Sequence, residues 1–299
     1  MLNPFQIIEV TPAMRSGSEV EQLGSKPKFW FTYEKEKWLF KEARKNTGED
    51  WSEKLASEIA KLMGLTTHHT ELAIWNGKRG CAVKSFLPQG FSLVHGNELL
   101  GGLLSGYDSE KIHGQADHTV ENIVNMLEKI FLEGPSRAAV SRKFIGYLVF
   151  DALVGNTDRH HQNWGLIINL PENKESTLPI VALAPTFDHA SSLGRELTDE
   201  ARARHSKERT IERYTLRARG GIFENAESSH GISPISLAAL LAVRYPQFFK
   251  PWQIRVKDLN PDDFKILIER IPCDRISPQG KEFALALLLK NTELLLNIK

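Results

Sequence analysis

Cysteine is scarce in this chain, and neither sign of charge predominates. Cys81 and Cys273 are the only cysteines and lie far apart in sequence, which excludes a disulfide framework and a cysteine-based zinc spacing. Lys and Arg total 38 against 37 for Asp and Glu, a formal net charge of +1. No global field therefore draws the protein to nucleic acid or to an anionic membrane, and any such contact would have to be local.

Long uncharged apolar runs are missing as well. No stretch is long enough to cross a bilayer, and the amino-terminal segment from Met1 to Gln6 lacks the basic-then-apolar layout of a signal peptide. We therefore expect a cytoplasmic location and no membrane partner. Internal repeats and low-complexity tracts are also lacking, while a hydrophobic content of 41% over 299 residues is enough for a substantial core in two lobes.

The most informative segment runs from Gly155 to Trp164 and follows a strongly apolar stretch. It sets Asp158 and Asn163 five positions apart, which is the spacing of a phosphoryl-transfer catalytic loop. In such a loop the aspartate aligns and deprotonates a hydroxyl, and the asparagine holds a magnesium ion. The segment therefore predicts a catalytic Asp158 and a metal-binding Asn163.

Two further elements occur in the order that such an enzyme requires. The apolar run from Ile180 ends on Asp188, where the main metal carboxylate belongs, and the strand-like run from Trp38 ends on Lys41, which would lie along ATP phosphates. Carboxylate and amide oxygens suit the hard Mg²⁺ ion. The three elements together predict a phosphotransferase that uses ATP and Mg²⁺.

Secondary-structure signals change character near position 88. Before it, a hairpin is predicted over Lys28–Lys41, a helix over Asp50–Met63, and strands over Thr70–Trp75 and Gly80–Phe86. After it, the predicted helices are Val120–Phe131, Arg137–Leu153, Ile235–Tyr245, Pro261–Ile271 and Gly280–Ile298. We therefore predict an α+β, two-lobed protein-kinase-like fold, with a small β-rich N-lobe at residues 1–88 and a larger, mostly helical C-lobe at residues 89–299.

A second hairpin is predicted between Asn163 and Asp188. Its strands would be Trp164–Asn169 and Leu178–Leu183, separated by the turn-forming residues Pro171–Lys174. Because folding back a hairpin brings its two ends together, we expect Asn163 and Asp188 to reach one ion.

Lys41 needs a carboxylate that holds it in place, and the following helix offers Glu53 or Glu58. We favour Glu53 and keep Glu58 in reserve, since on a helix the two point roughly 140° apart and are not equivalent. A phosphate-covering loop is the weakest element, because the segment from Gln22 to Phe29 has neither the G-x-G-x-x-G nor the Walker pattern. The backbone around Gly24 and Ser25 and the ammonium of Lys28 remain candidates for binding phosphate.

Blander interpretations stay open for several of these residues. Asp158 and Asn163 would also suit a turn that only caps backbone groups, and Asp188 would suit a helix cap. Arg159, His160 and His161 either neutralise phosphate charge or shape the loop; adjacent histidines rarely aim at one metal ion. The arginine-rich stretch between His189 and Gly221 is either a solvated helix or a docking segment for an acidic or RNA-bound protein.

Six short motifs between Gly24 and Leu193 together match one family pattern. They are Gly24–Lys28, Phe40–Lys41, Trp51–Glu53 with Ile59–Leu65, Val83–Phe86 with Leu93–Asn97, Gly155–Asp158 with Asn163, and Leu183–Asp188. On these residues the chain resembles the HipA-type serine/threonine kinases of bacterial toxin-antitoxin modules. The resemblance implies a catalytic Asp158, magnesium ligands Asn163 and Asp188, a phosphate-binding Lys41, and an adenine-contacting hinge at Lys84, Ser85 and Phe86.

The resemblance also implies partners and regulation. Members of the family phosphorylate protein serines, in some cases on aminoacyl-tRNA synthetases, and are restrained by a DNA-binding antitoxin and by autophosphorylation near the phosphate loop. We expect a HipB-like antitoxin and no direct DNA binding by this chain. The extra amino-terminal subdomain of the longer toxins is missing, which favours the short, HipT-like form or a stand-alone kinase, and the loop lacks the serine pair of the short toxins.

Two other classes of function remain as alternatives. A lipid or small-molecule kinase would use the same scaffold, since fold alone does not fix the substrate; against it, no basic amphipathic helix is evident. A non-enzymatic nucleotide-binding protein would be expected to have lost a carboxylate, whereas Asp158, Asn163 and Asp188 are all present.

Overall fold

The computed structural model describes residues 2–15, 27–131, 134–169 and 180–299, without the side chains of residues 134 and 135. Its amino-terminal part is a five-stranded sheet in the order β1-β4-β5-β3-β2, in which only the β1–β4 pair is parallel. The strands are β1 (Ile7–Val10), β2 (Lys28–Tyr33), β3 (Glu36–Glu42), β4 (Thr70–Trp75) and β5 (Lys78–Lys84). A short 3₁₀ helix, Pro12–Arg15, follows β1.

Alternation of side chains explains why these segments form a sheet. In β2, Phe29 and Phe31 are buried while their neighbours are not, and Phe29 lies opposite Phe40 of β3. The predicted hairpin is therefore confirmed. Its tip consists of Glu34 and Lys35, which both adopt positive φ (51° and 64°), as the two central residues of a type I′ turn do.

Helix α1 (Glu49–Leu62) follows β3 and covers the other face of the sheet. Its buried stripe includes Leu55 and Ile59, which share one hydrophobic cluster with Leu72 of β4. The predicted helix is confirmed with nearly the predicted ends. Polar side chains in its first two turns, including Asp50 and Glu53, are buried as well.

The carboxyl-terminal part is mostly helical, as predicted. Its helices are α2 (Gly96–Leu103), α3 (Val120–Ile130), α4 (Gly134–Val154), α5 (Asp199–Lys207), α6 (Ile211–Arg217), α7 (Pro234–Arg244), α8 (Pro246–Lys257), α9 (Pro261–Glu269) and α10 (Pro278–Leu296). The sequence pattern does not predict α2 or α8, whereas α5 and α6 lie in the arginine-rich stretch for which a solvated helix is one of the two interpretations. Among the helices of the described residues, none combines the length and the apolar character needed to span a membrane.

A second, three-stranded sheet is antiparallel. Two of its strands lie between α4 and α5 in sequence, and the third precedes α2. Its strands are β6 (Ser92–His95), β7 (Gly165–Asn169) and β8 (Ile180–Leu183), in that order. Strands β7 and β8 pair with Leu166 opposite Leu183, which confirms the predicted hairpin. The predicted turn at Pro171–Lys174 lies outside the described residues. This hairpin sets the residues before β7 beside those after β8.

The carboxyl-terminal segment packs back on the amino-terminal sheet. Arg275 is fully buried and donates from Nη1 to Asp50 Oδ2 at 2.9 Å and to the carbonyl of Ala73 at 3.2 Å. Asp50 opens α1 and Ala73 lies in β4, so one guanidinium joins three parts of the chain. The division at residues 88 and 89 remains a prediction.

Candidate active site

The loop that carries Asp158 begins where α4 ends. Gly155 follows Val154 with φ at +68°, a conformation that glycine adopts without strain, and the amide of Asn156 donates to the carbonyl of Asp151 at 2.8 Å. The Asn156 side chain also donates to Asp151 Oδ1 at 2.8 Å. The chain is therefore turned sharply out of the helix at a fixed point.

Arg159 is buried and fixes the shape of this loop. It meets Asp151 through two hydrogen bonds and donates from Nη1 to the carbonyls of Asn163 at 2.5 Å and Phe187 at 3.1 Å. One guanidinium thus ties the catalytic-loop candidate to the segment just before Asp188. Of the two roles considered for Arg159, the structure supports shaping the loop, since its donors are occupied within the protein.

Asp158 and Asn163 lie at the two ends of this loop and contact each other. Asn163 donates from Nδ2 to the carbonyl of Asp158 at 2.7 Å, so its amide is oriented with Oδ1 at the opposite end. The Asp158 carboxylate is 44% exposed, and the Ser191 hydroxyl lies 3.5 Å from its Oδ2. A carboxylate with this exposure is accessible to an incoming hydroxyl, whereas Asn163 is buried at 4% exposure.

Lys41 and Asp188 form an ion pair across the two sheets. Lys41 Nζ lies 3.0 Å from Asp188 Oδ1, although the residues are 147 positions apart. Burial lowers the pKa of Lys41, and the negative charges of Asp188 and Glu53 more than offset this, so that its pKa is raised and the ammonium stays charged. Asp188 itself has φ at +60°, a left-handed conformation that aspartate tolerates better than most residues.

Glu53 lies near this pair but bonds elsewhere. Its Oε1 is 2.8 Å from His68 Nε2 and accepts from the His189 amide at 3.0 Å, and no ion pair within 4.0 Å joins it to Lys41 in the described part of the chain. Burial raises the pKa of Glu53, but the contact with His68 and the charge of Lys41 lower it overall. Glu58 is turned away and pairs with Lys54 and Lys61, each at 2.8 Å.

The candidate nucleotide-binding residues fall into three groups. Gly24 and Ser25 lie outside the described residues. Lys28 stands directly opposite Lys41 in the β2–β3 register, so both side chains are on one face of the sheet. Lys84, Ser85 and Phe86 lead out of β5 toward β6, and the Phe86 ring stacks on that of Phe187 with centroids 5.7 Å apart. Their contact with adenine stays a prediction.

The adjacent histidines point in different directions. Their ring planes are 80° apart; His161 is buried against the Tyr107 hydroxyl at 2.7 Å, and His160 Nε2 lies 3.9 Å from Asp158 Oδ1. Burial lowers the pKa of each imidazole to about 4. Since His160 Nδ1 accepts from the Gln162 amide at 3.2 Å, neutral His160 carries its proton on Nε2, facing Asp158.

The donor set at this site fits a magnesium ion. Asp188 offers a carboxylate that already attracts one cationic group, Lys41, and Asn163 offers an amide oxygen whose nitrogen is engaged in its own loop. Mg²⁺ prefers one or two such oxygen ligands and completes its shell with water and substrate phosphates. No soft ligand is needed.

Sequence reasoning missed two supports of the site. Asp151 is a lone carboxylate in the apolar part of α4, a signal for a buried partner that could have been noticed. Ser191 contacts both Asp158 and Arg195, with Arg195 Nη2 donating to its hydroxyl at 3.0 Å. Nothing in the local sequence separates Ser191 from its neighbour Ser192.

Comparison with solved structures identifies the fold. The Helicobacter pylori proinflammatory kinase CtkA superposes with a TM-score of 0.76 at 19% identity, covering 98% of this chain and 96% of CtkA. HipA of Shewanella oneidensis MR-1, solved with HipB and operator DNA, gives a TM-score of 0.56 at 13% identity, covering 94% of this chain and 64% of HipA. The fold is therefore kinase-like, as predicted.

The family follows from the sequence match. The HipA-like C-terminal domain family matches residues 22–240, and this chain belongs to it. The predicted family resemblance is thereby confirmed. No curated protein sequence matches the chain.

Proposed function

We propose that this chain is an ATP- and Mg²⁺-dependent protein serine/threonine kinase. The observation that carries the proposal is the Lys41–Asp188 ion pair at 3.0 Å, which brings a strand-borne lysine to the acid that follows β8. The loop with Asp158 and Asn163 is tied to the same place through Arg159. Phosphoryl transfer depends on such positioning of charge more than on covalent participation by the protein.

Each residue has a defined part in this proposal. Asp188 and Asn163 would hold Mg²⁺, which supplies charge compensation for the phosphates when it is bound. Lys41 would leave Asp188 to contact the phosphates, and the exposed carboxylate of Asp158 would orient the acceptor hydroxyl and accept its proton. General-base assistance of this kind contributes about 10²- to 10⁴-fold in rate. Glu53 would then form an ion pair with Lys41, whose pKa its negative charge already helps to raise.

The nucleotide would lie between the two sheets. Gly24, Ser25 and Lys28 are proposed to bind phosphate, and neutral His160 would donate from Nε2. Lys84, Ser85 and Phe86 are proposed to contact the adenine, because they form the connection that leads out of the five-stranded sheet. Support for these roles is the position of the described residues around Lys41 and Asp188.

The substrate class is proposed from the family. We infer a cytoplasmic toxin kinase that phosphorylates a serine or threonine of a translation-related protein, such as an aminoacyl-tRNA synthetase, and that is restrained by a HipB-like antitoxin. The HipA protein of Shewanella oneidensis, which shares the fold, was solved in complex with HipB and DNA. Autophosphorylation of the kinase is a further part of the proposal.

Transfer of labelled γ-phosphate from ATP to protein tests the activity. We expect Mg²⁺-dependent labelling of bacterial proteins by the wild type, and loss of labelling in Asp158→Asn and Asp188→Asn. Asp258→Asn, at the exposed carboxyl end of α8, is the matched control and should label normally. Equal labelling by all variants would refute the site, and labelling confined to lipids or small molecules would refute the protein substrate.

A further inference from the structure

Three side chains that bind metals well meet in the interior beside the proposed active site. Glu53 comes from α1, His68 from the segment before β4, and His189 from the position after Asp188. All are at most 1% exposed, and one candidate ligand atom from each lies within 4.8 Å of the others. Glu53 Oε1 is 2.8 Å from His68 Nε2 and 3.8 Å from His189 Nδ1.

One polar side-chain atom of each of these three residues lacks a hydrogen bond. Glu53 Oε2, His68 Nε2 and His189 Nδ1 are all buried and make no hydrogen bond with any described residue. The other oxygen of Glu53, Oε1, lies 2.8 Å from His68 Nε2 and accepts from the His189 amide at 3.0 Å. Leaving a buried polar atom unpaired is unfavourable, because the atom has given up its hydrogen bonds to water. Three such atoms, on side chains that converge in the interior, indicate a ligand that binds among them.

The opposite nitrogen of each ring is already held by Thr186. His68 Nδ1 lies 2.9 Å from the Thr186 carbonyl, to which it donates, and His189 Nε2 lies 2.8 Å from the Thr186 hydroxyl. Metal-binding histidines almost always have the far ring nitrogen bonded in this way, which fixes the ring and leaves the near nitrogen for the ion. Arg159 anchors the Thr186 hydroxyl in turn, at 3.1 Å.

Distances fit a tetrahedral ion. Ligands at about 2.0–2.1 Å from Zn²⁺ are about 3.3 Å from one another, and two imidazoles bound to it have ring centroids about 5 Å apart. The observed contacts of 2.8 and 3.8 Å bracket the first value. The rings of His68 and His189 have centroids 5.1 Å apart and planes 17° apart, in agreement with the second.

We propose that Glu53, His68 and His189 bind one transition-metal ion of the Zn²⁺ class. Two imidazoles and a carboxylate suit Zn²⁺, whereas Mg²⁺ prefers oxygen ligands throughout. This ion is distinct from the proposed Mg²⁺ at Asn163 and Asp188, and its binding does not depend on kinase activity. It would fasten α1, which carries Glu53, to the segments that carry His68 and His189.

Metal content of the untagged protein tests the proposal. The protein is stripped with a chelator, reloaded with Co²⁺ or Zn²⁺, passed over a desalting column, and analysed by mass spectrometry and, for Co²⁺, by visible absorption. We expect one equivalent per chain and the intense bands of tetrahedral Co²⁺ in the wild type. Since loss of even an outer partner lowers metal affinity about 10- to 100-fold, His68→Gln and His189→Gln should each weaken binding by at least about tenfold.

Two control variants separate this site from its neighbours. His69→Gln alters the adjacent histidine, which is half-exposed and contacts Glu71 at 3.0 Å, and should bind the ion normally. Asp188→Asn removes the proposed Mg²⁺ ligand and should also retain the ion. A folded wild type that keeps no metal would overturn the proposal, as would equal retention by His68→Gln; nitrogen NMR would then show His68 and Glu53 sharing a proton instead.

Discussion

Arg159 and Asp151 are joined by two hydrogen bonds in the protein interior, from Nε to Oδ2 at 2.7 Å and from Nη2 to Oδ1 at 2.8 Å. Both side chains are 3% exposed. Because Asp151 belongs to α4 and Arg159 to the loop that carries Asp158, the pair sets the position of the proposed catalytic aspartate without touching substrate. Arg159 is therefore a positioning residue.

Arg159→Met should reduce both stability and activity. Removing one partner of a buried ion pair leaves an uncompensated charge and costs about 3–5 kcal/mol of unfolding free energy, measured by urea denaturation. The double variant Asp151→Leu with Arg159→Met should regain much of that stability but not phosphate transfer, because the loop has lost its anchor to Phe187. Full activity in the double variant would show that the pair only stabilises the fold.

Lys41→Met should strongly reduce the rate of phosphate transfer while leaving the fold intact. Loss of one group that compensates developing charge lowers kcat on the order of 10²- to 10³-fold. Lys37→Met is the matched control on the same strand, since Lys37 is exposed and rests over the Trp30 ring at 4.6 Å. Comparable losses in both variants, with unchanged circular dichroism, would contradict the role given to Lys41.

Lys41→Met should also strengthen the binding of a divalent ion at Asp188. The ammonium 3.0 Å from Asp188 Oδ1 competes electrostatically with any cation that approaches that carboxylate. Titration with Mn²⁺, followed by electron paramagnetic resonance, measures the effect. We expect a lower dissociation constant in Lys41→Met than in the wild type, and no binding in Lys41→Met combined with Asp188→Asn; a higher constant would oppose this account.

Arg275→Met should destabilise the protein, because Arg275 joins the carboxyl-terminal segment to α1 and β4. Arg275 and Asp50 are fully buried, and breaking a buried ion pair typically lowers the free energy of unfolding by about 3–5 kcal/mol. Because Arg79 still contacts Asp50 at 3.0 Å, we expect a loss near the lower end of this range. Lys281→Met removes a partly exposed pair with Glu269 and should cost about 0–1 kcal/mol. Urea denaturation of both variants gives the comparison.

Stability should fall between pH 7 and pH 5 because of His118. Its Nε2 accepts from Trp164 Nε1 at 3.0 Å and its Nδ1 donates to the Gly221 carbonyl at 2.8 Å, so protonation breaks a buried bond. Burial lowers the pKa of His118 from 6.5 to about 3. As the pH falls, His118 is therefore protonated in the unfolded chain before it is protonated in the folded one. The stability that neutral His118 provides above pH 6.5 is lost progressively as the pH falls toward 3.

The contribution of His118 between pH 7 and pH 5 should be about 2 kcal/mol. In His118→Gln the difference in unfolding free energy between these two pH values should shrink by about that amount. His230→Gln, at an exposed position, is the control and should leave the difference unchanged. An identical pH dependence in His118→Gln and the wild type would show that His118 is not buried in its neutral form.

Much of the architecture could be predicted because its signals are local. The alternation around Phe29 and Phe31, the apolar stripe of α1, and the two apolar runs that flank the turn before Ile180 each specify an element without reference to distant residues. Helix α8 escaped prediction because it contains Pro251 in its interior, and α5 was predicted only as one of two interpretations because it lacks an apolar stripe. Packing against neighbouring helices stabilises them instead.

The sequence by itself determined the order and spacing of Lys41, Asp158, Asn163 and Asp188. It also determined the end of α4 before Asp158 and the hairpin between Asn163 and Asp188, because both elements depend on local geometry. Tertiary structure alone decided that Lys41 meets Asp188 rather than Glu53, that Arg159 is buried against Asp151, and that His68 and His189 face Glu53. Those choices depend on which buried charges and polar atoms find partners when distant segments pack, and no local pattern encodes that competition.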